Sequence, residues 1–278
     1  MKIKFTKMHG LGNDFIVLDC RKNKIANMKS VIKKLSHRKF GIGFDQALIL
    51  KNSKKADFIM EIYNYDGGKV EMCGNGIRCF AKYIWDRNIS KKKVLEIETL
   101  AGIIRPEKVG KLVKVNMGPA ITDAKKIPTK GTDTVVNYSL KALDKTFKIT
   151  AVSMGNPHAV IFVKDVDKFP VEKYGPVLEN HKFFPKRTNV EFVQVLSKSK
   201  LKMRVWERGT GETLACGTGA CGTQVAAHIL GHTGRTADVR VAGGGDLKIA
   251  LDKDSDGTIH TVWMTGAATE VFEGEVII

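Results

Sequence analysis

The sequence predicts an α+β fold of two pseudo-symmetric β-rich domains, each a sheet wrapped around a central helix, with the active site in the cleft between them. Three observations carry that expectation. The chain repeats itself at one fixed spacing of 143 residues, the difference between Cys216 and Cys73. Both halves hold short runs of β-branched and aromatic residues bounded by turn formers, the pattern of strands. Each half also places one Cys-Gly-x-Gly turn at the start of a helical stretch.

The repeat holds its register over four segments. Gly12-Asn13 before Ile16-Val17-Leu18 matches Gly155-Asn156 before Ala159-Val160-Ile161. Gln46 before Ala47-Leu48-Ile49-Leu50 matches Asn189 before Val190-Glu191-Phe192-Val193. The strand-like Phe58 to Tyr63, followed by Asn64, matches Leu201 to Trp206, followed by Glu207. Cys73-Gly74-Asn75-Gly76 matches Cys216-Gly217-Thr218-Gly219. One short motif is easily matched by chance, but a common register over such a length is not.

Ile3 to Phe5, Phe15 to Leu18, Ala47 to Leu50 and Phe58 to Tyr63 read as strands, and their partners read the same way. Helices are few. One is expected from about Met28 to Phe40, ending before Gly41 as a C-cap. A second runs from about Gly76 to Arg87. Its partner, Gly219 to Leu230, is apolar on nearly every side and is expected to be buried. The expected half-domains are residues 1–120 and 121–278, with 121–143, rich in Thr, Lys and Asp, as a linker. The last strand, about 268–278, lies beyond the second repeat and is available to pair back onto the first half.

Composition narrows the function classes. A chain of 278 residues that is 43% hydrophobic can bury a sizeable core. The longest run without Asp, Glu, Lys or Arg, Thr213 to Gly234, is broken by glycines and holds His228 and His232, so no membrane span is expected. The N-terminus lacks the apolar core of a signal peptide, which points to the cytoplasm. Five cysteines, an odd number, argue for reduced thiols rather than a disulfide scaffold. The net charge of +17 raises a nucleic-acid partner, but the lysines are scattered and not interleaved with aromatics. They read as a solvated surface, and no nucleic acid is expected as partner.

The cysteines carry the chemistry. A helix start presents free N–H groups and the positive end of a dipole, which favour a thiolate and can hold a carboxylate. The repeat sorts the thiols: Cys73 aligns with Cys216, whereas Cys79 aligns with Gly222, Cys221 with Arg78, and Cys20 stands alone. The unmatched three read as small structural residues. Two equivalent groups on opposite faces of an α-carbon suit racemisation, one removing a proton as thiolate and the other returning one as thiol. Fixed donors at two helix N-termini would stabilise the charge that develops beside the carboxylate. No pyridoxal-bearing lysine is required.

The stretches HGLGNDF (His9 to Phe15), GIGFDQ (Gly41 to Gln46), YNYDG (Tyr63 to Gly67), MCGNGIRC (Met72 to Cys79), MGNPH (Met154 to His158), RTNVEF (Arg187 to Phe192), WERG (Trp206 to Gly209) and ACGTGAC (Ala215 to Cys221) resemble the diaminopimelate epimerase family, over essentially the whole chain. The resemblance implies cofactor-independent interconversion of LL- and meso-diaminopimelate in lysine and peptidoglycan-precursor synthesis, by a homodimer, with no metal. It implies Cys73 and Cys216 as the acid and base, with His158 and Glu207 tuning them. Asn13, Gln46, Asn64, Asn156, Asn189, Glu207 and Arg208, with the Gly74-Asn75 and Gly217-Thr218 turns, would bind substrate.

Three other readings remain beside it. A proline or hydroxyproline racemase would use the same cysteine pair, but its monocarboxylate substrate gives no role to Arg208. A structural zinc site would need Cys73, Cys79, Cys216 and Cys221, whose spacing suits no usual knuckle. A nucleotide-binding loop at GTGETLACGTG lacks the Gly-Lys-Ser/Thr ending of a P-loop.

Overall fold

The computed structural model describes residues 2–130, 133–255 and 257–278. The chain forms two compact units, Met1–Val115 together with Gly266–Ile278, and Asn116–Thr265. The first contains β1 (Lys2–Gly10), β2 (Asn13–Asp19), α1 (Met28–Leu35), β3 (Gln46–Asn52), β4 (Phe58–Asn64), β5 (Lys69–Val70), α2 (Gly74–Asp86), β6 (Ile97–Thr99), β7 (Gly102–Ile104), β8 (Glu107–Val109) and β9 (Leu112–Asn116). The second contains β10 (Tyr138–Ala142), β11 (Lys145–Ser153), β12 (Pro157–Phe162), α3 (Val171–Glu179), β13 (Asn189–Ser197), β14 (Lys200–Glu207), β15 (Gly211–Thr213), α4 (Gly217–Ile229), β16 (Thr236–Arg240), β17 (Asp246–Lys253) and β18 (Ile259–Gly266). The last strand, β19 (Thr269–Ile277), belongs to the first unit.

In the first unit the strands run in the order β19-β1-β2-β3-β4-β6-β7, with β5 on β4. In the second, β10-β11-β12-β13-β14-β16-β17-β18 follow one another, with β15 on β14. The repeat is realised in the pairing itself. Parallel β2 and β3 set Phe15 opposite Gln46; parallel β12 and β13 set His158 opposite Asn189. Ala47 faces Tyr63 as Val190 faces Trp206. Helices α2 and α4 begin 143 residues apart, at Gly74 and Gly217, and have 13 residues each. The register slips once. Met8 pairs with Phe15, but Val152 pairs with His158, so the chain between the matched paired residues is one residue shorter in the second unit. Both loops pass through a left-handed glycine, Gly12 at φ 99° and Gly155 at φ 94°.

Each sheet has a helix on both faces, which is why β2 is buried continuously from Phe15 to Leu18 rather than alternately. Ile16, Leu18, Ala47 and Ile49 pack with Ile32 and Leu35 of α1. Phe15 and Leu48 point the other way, against Gly76 of α2. In the second unit Ala159, Ile161, Val190 and Phe192 pack with Val171, Tyr174 and Leu178 of α3. The helices α2 and α4 are buried along nearly their whole length.

Several expected boundaries differ. Helix α1 stops at Leu35, five residues before Phe40, because Ile42 and Gly43 turn back and donate to the Leu35 carbonyl at 2.8 and 3.0 Å. Gly41 is a glycine because a Cβ there would lie 2.4 Å from that same oxygen. Helices α2 and α4 start two residues earlier than expected, so each cysteine is itself the N-cap. Residues 121–143 are not a linker among the described positions: Ala124, Ile127, Val135, Leu140 and Ala142 are buried in the second core. Helix α3 was not expected. Its Gly175 lets the Trp206 ring approach to 2.6 Å of where a Cβ would stand, and the matching positions in the first unit are Ile32 and Tyr63. The large residue has moved from helix to strand.

Candidate active site

Cys73 is the N-cap of α2, in extended backbone conformation, and the Gly76 N–H donates to its sulfur at 3.4 Å. Its Sγ lies 3.9 Å from Asn13 Oδ1, which also accepts from Asn75 Nδ2 at 3.3 Å. The Asn13 amide cannot turn around, because its Nδ2 donates to Asp45 Oδ2 at 2.8 Å. Asp45 and Asp14 share Arg38, at 2.7 and 2.8 Å, and Lys7 also pairs with Asp14. Burial alone would raise the Asp14 carboxyl; hydrogen bonds and charge from Arg38 and Lys7 outweigh it and hold Asp14 at about 2. Beside this group, Gln46 Nε2 donates to Asn64 Oδ1 at 2.8 Å. Gln46 Oε1 is buried and has no hydrogen-bond partner among the described residues.

Cys216 caps α4 in the same conformation but in different surroundings. It is buried, with Sγ 3.5 Å from Thr218 Oγ1 and beside the Glu207 carboxyl. Glu207 also accepts from the Thr213 hydroxyl. Burial pushes the Glu207 carboxyl upward, against the opposing pull of Thr213, Cys216 and His158. The Cys216 thiol is pushed well above the ordinary thiol range, by burial first and then by the negative charges of Glu207 and Glu191. Thr218 and the Gly219 N–H offset this only in part. The expectation that a helix N-terminus lowers this thiol therefore fails, because desolvation and two carboxylates outweigh the dipole.

Behind Cys216 lies a buried polar pair. His158 Nδ1 is 2.6 Å from Glu191 Oε1, and both side chains are fully buried. His158 Nε2 is 3.1 Å from Asn156 Oδ1, and Asn156 Nδ2 donates to Thr218 Oγ1 at 3.3 Å. Asn189 opens β13, with Nδ2 on the Pro157 carbonyl and Oδ1 accepting from the Arg208 N–H, both at 2.9 Å. The Arg208 side chain is exposed and reaches the Lys186 carbonyl at 3.3 Å. It leaves Glu212 to Arg204, at 2.7 Å.

The expected residues thus fall into local groups: Asn13, Cys73 and Asn75; Gln46 and Asn64; Cys216, Thr218, Asn156, His158 and Glu207; Asn189 and Arg208. Sequence reasoning passed over Asp45, Thr213 and Glu191. The signal for Glu191 was present: its repeat partner is Leu48, so a carboxylate stands where a core leucine is expected. The unmatched thiols differ from the pair. Cys79 and Cys221 are fully buried, and burial pushes Cys79 up to about 12; Cys20 is partly buried and also raised by burial. Among the described residues, no group of three or more His, Cys, Asp or Glu side chains is arranged to hold a metal ion, and no helix is long and apolar enough to cross a membrane.

A family model described as diaminopimelate epimerase matches residues 5–122 and 150–271. A diaminopimelate epimerase of Acetivibrio thermocellus is 50% identical over 99% of this chain and 98% of its own. Among solved structures, a phenazine biosynthesis protein of the PhzF family from Bacillus anthracis superposes with a TM-score of 0.74 at 19% identity, over 100% of both chains. A hydroxyproline epimerase from Agrobacterium vitis does so with a TM-score of 0.69 at 14% identity, over 99% of this chain and 92% of the other. Those two likenesses speak to the fold alone.

Proposed function

This chain belongs to the diaminopimelate epimerase family, and from that premise we propose that it interconverts LL- and meso-diaminopimelate with Cys73 and Cys216 as its acid and base. The enzyme is an isomerase, and its reaction belongs to lysine biosynthesis. The observation that carries the two-cysteine reading is that two register-matched units each place a cysteine as the N-cap of the buried helix at the same point of the repeat.

In the proposed reaction one thiolate removes the α-proton and the opposite thiol returns a proton to the other face. Cys216 rests as the thiol, the acid, since burial and its carboxylate neighbours disfavour its charged form. Cys73, with the Gly76 N–H on its sulfur, is the base for that direction. The roles exchange for the reverse reaction. The Gly74-Asn75 and Gly217-Thr218 turns offer helix N–H groups to the carboxylate at the reacting carbon. The buried, unpartnered Gln46 Oε1 is an acceptor suited to an ammonium group, since a buried acceptor without a partner costs stability unless a ligand supplies one. Arg208, exposed and free of Glu212, is the group we assign to the distal carboxylate. Asn13, Asn64, Asn156 and Asn189 complete the polar lining. A homodimer in the cytoplasm is part of the same proposal and is supported by the family resemblance and by the thiol chemistry.

Incubation with LL-diaminopimelate in deuterated water tests the reading. The meso product should carry deuterium at one α-carbon. Turnover of proline or hydroxyproline with none of diaminopimelate would sink it.

A further inference from the structure

Helices α1 and α3 also begin 143 residues apart, at Met28 and Val171. At the end of each, one polar side chain reaches the turn that follows β4 or β14. In the first unit Ser36 caps α1, and its hydroxyl donates to the Tyr65 carbonyl at 2.8 Å. In the second unit the residue matching Ser36 is Glu179, the last of α3, and the residue matching Tyr65 is Arg208. Where the first unit has a hydroxyl, the second has a carboxylate, in the half that carries the arginine.

A carboxylate is costly in that place. Glu179 is buried, and it stands at the negative end of a helix dipole. A buried charge is tolerated only when it is well paired. The Trp206 indole N–H donates to Oε2 and the Gly209 backbone N–H donates to Oε1, both at 2.8 Å, and Arg187 Nη1 lies 3.5 Å from Oε1. An indole N–H and a backbone N–H can only donate, so both oxygens are acceptors and the directions are fixed. Trp206 and Gly209 bracket Glu207 and Arg208. The peptide before the Arg208 Cα is held by its own N–H on Asn189 Oδ1, and the peptide after it by the Gly209 N–H on Glu179. Asn189 is anchored in turn on the Pro157 carbonyl. With both flanking peptide planes held, the two soft dihedrals of Arg208 are set, and with them the direction of its Cα–Cβ bond. The side chain beyond is exposed and reaches the Lys186 carbonyl at 3.3 Å, so the backbone does most to aim it. Glu207 depends less on this clamp, since the Thr213 hydroxyl donates to its own carboxyl and its backbone pairs with Gly211.

We propose that Glu179 is a positioning residue for substrate recognition: it fixes the peptide that follows Arg208 and so aims the guanidinium at the distal carboxylate. The proposal rests on the reading of Arg208 as the group for that carboxylate. A guanidinium recognises a carboxylate through a planar fork, so an error in its direction is felt in binding before it is felt at the reacting carbon.

Steady-state kinetics on LL-diaminopimelate test it with Glu179→Ala, which removes both acceptors, and Glu179→Gln, which keeps the shape and one oxygen for the Gly209 N–H. Glu179→Ala should raise KM about tenfold or more, toward the roughly 100-fold that a 1 Å misplacement can cost, and leave kcat within about threefold. Glu179→Gln should recover most of the KM. Arg208→Met should raise KM as well, and adding Glu179→Ala to it should raise KM no further, because the two act through one contact. Effects that multiply in the double variant overturn the proposal, as does a Glu179→Ala enzyme that loses kcat and keeps its KM. In the wild-type chain the Gly209 amide should exchange with deuterium more slowly than a free peptide, since its bond to Glu179 must open first. Exchange at the free-peptide rate overturns the proposal without any variant having to fold. An Arg208→Met enzyme with native KM would instead refute the reading beneath it, and this proposal with it.

Discussion

The two units share their strand register except for one slip at the first hairpin, and they differ behind their cysteines. In the first, Cys73 faces an amide, Asn13, fixed by Asp45, over a core of Phe15 and Leu48. In the second, Cys216 is enclosed by Glu207, His158 and Glu191. A backbone repeat supplies two equivalent positions, whereas a reaction that turns one hand into the other needs those positions in opposite protonation states. On the proposed two-cysteine reading one scaffold serves both: the N-cap geometry is held constant, and the residues one layer deeper differ between the two sulfurs.

The comparison breaks most sharply at the cysteines themselves. Cys73→Ala and Cys216→Ala should each lower kcat at least by the roughly 10²–10⁴-fold of a lost general acid or base, while Cys79→Ala and Cys221→Ala keep most activity. A near-native rate in either of the first two, in a deuterium-exchange assay, would mean that the matched turns are not a catalytic pair. Next comes the residue that only one half carries. Arg208 aligns with Tyr65, and a two-ended substrate needs such an asymmetry. Arg208→Lys should cost about 2–4 kcal/mol in kcat/KM, since lysine keeps the charge and loses the planar fork. Near-native kcat/KM in both Arg208→Lys and Arg208→Met would remove the arginine from the distal carboxylate.

The units should also answer pH in opposite senses. Asp14 is held at about 2, below its ordinary 3.8. Its stabilising contribution is therefore present above about pH 4 and lost as pH falls toward 2. Asp14→Asn should cost about 2 kcal/mol at pH 7 and nothing near pH 2, as urea titrations at the two pH values would show. Glu207 is shifted the other way. Its folded state prefers the protonated carboxyl, so stability is full below about 4.5 and declines as pH rises through the raised folded value. Glu207→Gln should thus raise Tm slightly at pH 8 and leave it unchanged at pH 4, while lowering activity. A lower Tm at pH 8 would show that the charged carboxylate is stabilised rather than penalised.

Much of this was legible in the sequence because the repeat is. The offset of 143 residues located the paired strands, both central helices and the two cysteines. Helix α3 was hidden by Gly175 and Pro176 inside it, residues that speak against a helix locally; the glycine is explained by the Trp206 ring lying over it. The buried residues between 121 and 143 were hidden because few apolar side chains are spaced among Thr, Lys and Asp with no helical or strand period. The elevated Cys216 thiol was illegible for another reason. A helix N-terminus is visible in the sequence, but the burial that overrules it is not, and the second carboxylate, Glu191 of β13, stands out only when the repeat sets it against Leu48.

The pairing of β19 with β1 joins residues at opposite extremes of the chain, Lys2 with Ile277 and His9 with Thr269. A chain emerging from the ribosome presents all of Asn116–Thr265 before the first unit has its final strand. Until Gly266–Ile278 appears, β1 has β2 along one edge and nothing from its own sheet along the other, an open row of backbone donors and acceptors. Closing that edge requires the longest-range pairing in the molecule, and contacts of such separation form slowly. The unit that is first in the sequence is therefore the last to be completed.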